Sequence, residues 1–413
     1  MTFKSILSAM LIWASLTSLQ GQSIVWSQKS NSDGFLATYG VVFSSNGEKV
    51  LSGSECHPAN IRMFDAATGN LDWSYDVGTS FMCIQGVKFS SNGTLIASVE
   101  EFGNILIFDN TGATPVIFDT IVTGTSYAFS ADFTPTNDRI AVGASNGKMN
   151  LYNLPGGSLF KSVTAHPGYV FSVAYSPDGA LLASGGSDNK AKIWAADGTL
   201  KFTLTGHSND VMSVRFSPDN NFLVTGALDG KVKIWNATNG ALVRTIDAHI
   251  GEVKQVDISP DGSMIVSASS DQTCKIWNFQ TGEPLSTFGN TDGGVVWSAA
   301  WSPDGGKIAT GTGAGDVILW DVSGVSGAGE LPDAFAGTKI FPNPATDWVN
   351  LQLPAGIRLS MLEICDATGK TLRRLDPGEH SISVSELPCG FFFLKMAAPG
   401  SEVAMSRFMV TGK

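Results

Sequence analysis

The chain of 413 residues is short of charge, of basic residues and of cysteine. Asp, Glu, Lys and Arg make up only 15% of it, and 37 acids against 26 bases leave a net charge of −11. Binding to a phosphate backbone draws on clustered Lys and Arg, so this balance argues against a nucleic-acid partner. There is no polybasic or basic amphipathic stretch of the kind that holds a protein on a membrane surface. Five cysteines are too few for a dense disulfide framework. Past an N-terminal leader, no apolar run is long enough to span a bilayer, so the mature chain has no membrane span. Phosphate-loop and calcium-loop signatures are missing, and no motif calls for a cofactor. With 43% hydrophobic residues, the chain can nevertheless build a large core.

What is present is a repeat. An aromatic or aliphatic residue, then Ser or Thr, then a turn recurs seven times: FSSNG at Phe43 and Phe89, FTPTND at Phe133, YSPDG at Tyr175, FSPDN at Phe216, ISPDG at Ile258 and WSPDG at Trp301. Each copy closes on an aromatic: Phe64, Phe108, Tyr152, Trp194, Trp235, Trp277 and Trp320. These are spaced 44, 44, 42, 41, 42 and 43 residues apart. A fixed period of this size, with several short strands in it, predicts an all-β fold: a seven-bladed β-propeller with one four-stranded blade per repeat. In the fifth copy VMSVRF alternates, Ser217-Pro218-Asp219-Asn220 turns, FLVTGAL is continuously apolar, Asp229-Gly230 turns, KVKIWNA alternates, and ALVRTI follows Asn239-Gly240.

The pattern resembles the WD-repeat family over residues 24–321, most closely in copies four to six. The resemblance implies a hydrogen-bonded structural tetrad in each of these: His166, Ser184, Asp188 and Trp194; His207, Thr225, Asp229 and Trp235; His249, Ser267, Asp271 and Trp277. A buried indole, hydroxyl, imidazole and carboxylate need one another as partners, and together they fix one packing arrangement. Elsewhere the pattern breaks. The His position holds Gly34, Ser80, Gly124 and Asp292, and the Asp position holds Asn146 and Ala314, so those blades are expected to rely on apolar packing. Nothing strand-like follows Asp321 in SGVSGAGELPDAFAGT, so the strand Ser23-Ile24-Val25-Trp26-Ser27 is expected to complete the seventh blade and remove an open edge.

The two ends read as export signals. Residues 1–21 have the make-up of a signal peptide: Lys4, an apolar stretch from Ile6 to Leu19, then small residues, with cleavage near Gly21 or Ser23. Residues 22–322 form the propeller, 323–338 a flexible linker, and 339–413 a small β-sandwich. That last segment resembles the type A C-terminal sorting domain of the type IX (Por) secretion system of Bacteroidetes-type bacteria. The residues that carry the likeness are the Pro-Asn-Pro-Ala-Thr-Asp start at 342–347, the turn from Asp366 to Lys370 with Gly369, the Leu387-Pro388-x-Gly390 step and the basic C-terminus. The resemblance implies outer-membrane export by that machinery, then secretion or attachment at the outer cell surface.

No catalytic or metal constellation emerges. The three recurring His residues sit in separate blades without a paired ligand. Glu55-Cys56-His57 are adjacent and point in different directions, and Glu100-Glu101 read as a loop at a blade edge. Cys274 reads as a small buried hydrophobe. Cys56 and Cys83 fall near the same edge of adjacent blades, and Cys365 and Cys389 share the last domain, so either pair is placed to bridge in an oxidising compartment. What remains is the surface just after the His position: Tyr169, Phe171, Asp210, Met212, Glu252, Lys254 and Trp297 are the expected partner-binding face, with the aromatics as anchors. The expectation is therefore a non-catalytic scaffold that binds a protein or a surface polymer. The alternative is a propeller hydrolase or lactonase with acids or metal ligands converging at the central channel. A structural part in a surface assembly differs from the first reading only in its partner.

Overall fold

The computed structural model describes residues 22–30, 37–54, 60–77, 83–125, 127–289, 294–325, 338–341, 345–354, 356–365, 371–388, 390–399 and 404–410. The leader, Gly34, Glu55 to His57, Ser80, Asp292, most of the linker, Pro342 to Pro344, Asp366 to Lys370 and Cys389 therefore lie outside the described residues. Among those described, the fold is all-β with no helix.

Seven four-stranded antiparallel sheets occupy residues 23–321, an arrangement consistent with propeller blades. Six run in simple chain order, over 38–76, 84–122, 128–164, 170–205, 211–247 and 253–289. The seventh takes its first three strands from Val296–Trp301, Lys307–Thr312 and Asp316–Asp321, and its fourth from Ser23–Lys29 at the other end of the chain. There Trp26 is buried, and its indole N–H donates to the Ala66 carbonyl in the first sheet at 3.1 Å. First strands of successive sheets pack against each other from the first to the seventh, and the seventh packs against the first.

Burial follows position within the sheet. The second strand of the fifth sheet, Phe222–Ala227, is buried along its whole length, whereas the fourth, Leu242–Asp247, is largely exposed. Between the fifth and sixth sheets, Val224, Val232 and Ile234 meet Val253, Val256 and Ile265 in one core. Gly226 permits this approach, since a Cβ there would sit 2.7 Å from Val253 Cγ1 and 2.9 Å from Val256 Cγ1. Hydrogen bonds also cross between sheets on the first strands. Ser172 Oγ accepts from Val214 N at 3.2 Å, Ser213 Oγ from Val256 N at 3.1 Å, and Asp257 from Trp301 N at 2.9 Å.

The repeated turn has a local cause. Ser217 Oγ donates to Asp219 at 2.5 Å and accepts from Phe222 N at 2.9 Å, closing the turn on its own side chains. Asn220 sits at φ 63°, a left-handed conformation that Asn tolerates. Ser176 with Asp178, Ser259 with Asp261 and Ser302 with Asp304 repeat the arrangement.

In the C-terminal segment, one sheet joins Lys339–Phe341, Trp348–Gln352 and Ser381–Ser383. A second joins Thr371–Leu375, Met361–Cys365, Gly390–Ala397 and Ala404–Val410. Val349, Leu351 and Ile382 from the first sheet and Leu362, Ile364, Leu394 and Phe408 from the second share one core.

Two expectations need correction. Cys365 is a free, buried thiol, so it makes no bridge to Cys389. Cys83 is disulfide-bonded, its partner lying outside the described residues, while Cys274 is free and buried. Glu100 is not a loop residue. It ends the strand Leu95–Glu100 and is 2% exposed.

Candidate functional site at the mouth of the central cavity

In the fourth to sixth sheets the polar residues at the repeat positions meet. Trp194 Nε1 donates to Ser184 Oγ at 3.0 Å, Ser184 lies 2.9 Å from His166 Nε2, and His166 Nδ1 lies 2.7 Å from Asp188. The fifth sheet repeats this at 3.0, 2.7 and 3.0 Å through Trp235, Thr225, His207 and Asp229. In the sixth the distances are 2.8, 2.7 and 2.9 Å through Trp277, Ser267, His249 and Asp271. One proton arrangement satisfies every atom: indole N–H to hydroxyl oxygen, hydroxyl to Nε2, and Nδ1–H to carboxylate. It requires neutral imidazoles. Burial pushes His166 and His249 below their ordinary value of 6.5, against the pull of Asp188 and Asp271. Burial alone would raise the Asp229 carboxyl. Hydrogen bonds from His207 and the Ser208 and Lys231 amides outweigh it and hold the group at about 2.

The other sheets keep fragments of this chain. In the seventh, Trp320 Nε1 still donates to Thr310 Oγ1, at 2.9 Å. In the second, Phe108 replaces the indole, and Ser98 Oγ, fully buried, has no partner among the described residues. Glu100 stands at the register position that Gly186 holds in the fourth sheet, each opposite the first residue of its neighbouring strand. A Cβ on Gly186 would lie 2.3 Å from the His166 ring, whereas the fifth and sixth sheets carry the small Ala227 and Ser269 at this position beside their imidazoles. Burial raises the Glu100 carboxyl above its ordinary value, with a hydrogen bond from Asn104 opposing the shift.

The first strands of all seven sheets bound a cavity of about 330 Å³. Each of these strands carries a register shift between its first and third residues, so that the second residue is the extra one of a β-bulge. A bulge re-aims its side chain, and here all seven extra residues line the cavity. Four of them, Phe171, Met212, Lys254 and Trp297, belong to the face expected from the sequence. The other three, Tyr39, Gln85 and Phe129, do not, although the same offset from each FSSNG-type turn locates them.

Aromatic rings gather around this mouth. Phe129 touches both Phe171 (5.2 Å between centroids) and Tyr169 (5.6 Å), and the run continues through Tyr127 at 6.5 Å to Phe102, a further 6.4 Å away. Phe102, Tyr127 and Tyr169 are 52, 40 and 48% exposed. Elsewhere on the rim Tyr39 meets Trp297 edge-on at 5.0 Å, and Lys254 Nζ lies 4.7 Å over the Trp297 ring, held by Glu252 at 2.5 Å. Asp210 is half-buried near Asp188, and burial and that like charge together raise its carboxyl.

Deeper in, charges are paired. Lys88 meets Asp132 at 3.1 Å and Arg215 meets Asp257 at 3.8 Å, and both aspartates also accept a backbone N–H from the next sheet. Among the described residues, no group of three or more His, Cys, Asp or Glu is placed to hold a metal ion.

Comparison with known proteins bears on both parts of the chain. Residues 157–195, 198–236, 240–278 and 282–321 match the WD domain, G-beta repeat. The matched unit is staggered by one strand: each begins in or just before the fourth strand of one sheet and ends with the third of the next. Residues 339–411 match the Secretion system C-terminal sorting domain, which indicates type IX export to the outer surface or the medium. No curated protein matches the chain. The chain thus carries four WD repeats, over residues 157–321, and a type IX sorting tail over residues 339–411.

Proposed function

We propose that this chain is an exported, non-catalytic scaffold that binds a protein or surface-polymer partner at the cavity mouth. On this reading the seven sheets are the blades of one closed propeller over residues 22–322, and Ser23–Lys29 supplies the closing strand. Residues 1–21 are a signal peptide, 323–338 a linker, and 339–413 a β-sandwich tail engaged by the type IX machinery, after which the protein is released or held at the outer surface. The hydrogen-bonded sets in blades four to six are structural. Tyr169, Phe171, Asp210, Met212, Glu252, Lys254 and Trp297 belong to the binding face, joined by Tyr39, Phe102, Tyr127 and Phe129.

The observation that carries the reading is the run of contacting, part-exposed aromatic rings at the mouth, since aromatic anchors dominate binding surfaces. Two neighbouring acids favour binding over hydrolysis, since Asp132 and Asp257 are each tied up by a cation and a backbone N–H. A general acid or base needs a free path to substrate. The test is to capture partners from the outer surface of the native host with the wild-type chain and with Tyr169→Ala/Phe171→Ala. Loss of a captured partner in the variant is expected, with no turnover of ester or lactone substrates by the wild type. Unchanged capture, or turnover that Asp257→Asn abolishes, would overturn the reading.

A further inference from the structure

We infer that the aromatic run over the second to fourth sheets is a platform for an uncharged glycan chain, whose terminal sugar enters the adjoining cavity. The inference rests on the reading that this face is where the partner docks.

Phe102, Tyr127 and Phe129 lie nearly parallel, with interplanar angles of 28° and 18°. Their centroids are 6.4 and 6.5 Å apart, toward the long end of aromatic contact distances. Phe102 and Tyr127 remain 52 and 40% exposed, so part of the stacked run is open to solvent. A row of near-parallel, part-exposed aromatic rings matches a polymer of rings that present apolar C–H faces in sequence. Neighbouring contacts hold Phe129 on two sides, through Tyr169 and Phe171, so little ordering is left to be done on binding.

The row leads into the cavity through Phe129, where the Gln85 amide and the Ser130 hydroxyl are among the lining groups and the charged Lys88, Arg215, Lys254 and Asp257 on the wall are paired. A protein's apolar anchor seeks an apolar pocket, whereas a sugar brings hydroxyls around its apolar face. The cavity volume of about 330 Å³ is at the small end of ligand pockets, suited to a chain end and not to a globular partner. Anionic polymers fit poorly. Lys88 and Lys254 are already paired with Asp132 and Glu252, and the whole chain carries −11.

The test uses the full purified chain with cellohexaose, laminarihexaose and mannohexaose as uncharged probes and oligo-alginate as the acidic one, read by calorimetry. Binding of at least one uncharged probe is expected, with about a tenfold loss for Phe102→Ala and again for Tyr127→Ala. Both sites are surface positions, and an unchanged thermal midpoint would verify folding. Leu242→Ala on an outer strand should leave binding unaltered. Failure of all three uncharged probes, tighter binding of alginate, or indifference to both aromatic substitutions would overturn the glycan assignment. If the two substitutions abolish capture of a surface protein while no sugar binds, the docking face stands and the glycan falls. If neither capture nor sugar binding responds to them, both fall.

Discussion

Thr225 and Ser98 occupy the same repeat position in the fifth and second sheets, and the fold assigns opposite consequences to removing their hydroxyls. Thr225 Oγ1 is fully buried, accepts the Trp235 indole N–H at 3.0 Å and lies 2.7 Å from His207 Nε2. Thr225→Val keeps the shape and strands two buried groups at once. An unsatisfied buried donor or acceptor costs about 1–3 kcal/mol, so the expected loss is about 2–6 kcal/mol. Ser98 Oγ is as deeply buried but has no partner among the described residues, because Phe108 stands where the indole would be. Ser98→Ala removes a hydroxyl whose desolvation is already uncompensated, so it should be neutral or stabilising by up to about 1 kcal/mol. Guanidinium unfolding, followed by tryptophan fluorescence and far-ultraviolet dichroism, gives the change in midpoint for each variant. Similar losses for the two, or a larger loss for Ser98→Ala, would refute the claim that the hydrogen-bonded chain is what the position serves.

Three further outcomes are expected. The native fold keeps His166 and His249 neutral where the unfolded chain takes up protons, so their contribution to stability is complete above pH 6.5. It declines as pH falls below that value, by at most about 1.4 kcal/mol per pH unit for each, and a rising midpoint on acidification from pH 7 to pH 5 would contradict this. Gly226→Val forces new atoms against Val253 and Val256 and should cost about 1–3 kcal/mol or more in the same assay, where an unchanged midpoint would count against the inter-sheet packing. Deleting residues 22–29 exposes the edge of Asp316–Asp321 and should turn a monomer into concentration-dependent oligomers on size exclusion, whereas a stable monomer would argue against ring closure by that strand.

The repeat was legible because each turn closes on its own Ser and Asp, so the same few letters recur wherever the chain reverses. The polar sets in sheets four to six were legible for a related reason: identical backbones put residues of fixed spacing side by side. The aromatic run was not. Phe102, Tyr127, Phe129 and Phe171 come from three different repeats, and two of them, Phe129 and Phe171, are re-aimed by bulges that alternation alone does not reveal. Glu100 misled because a charged pair beside a Gly reads as a loop. Its burial goes with its place at the end of the strand Leu95–Glu100, opposite Ile84, and spacing gives no sign that a charged side chain will be enclosed there. The state of Cys365 depends on side-chain distances that composition does not encode.

The central claim is that the mouth face of an exported propeller meets the partner. It is tested most directly by placing a photo-crosslinking residue at Tyr127, and separately at Leu242 on an outer strand, in the native host, and analysing the adducts by mass spectrometry. The account predicts an adduct from position 127 and none from 242, on a chain found outside the outer membrane that begins near Gln22 and lacks residues after about Lys339. Adducts from 242 alone, or a full-length chain retained inside the cell, would contradict it.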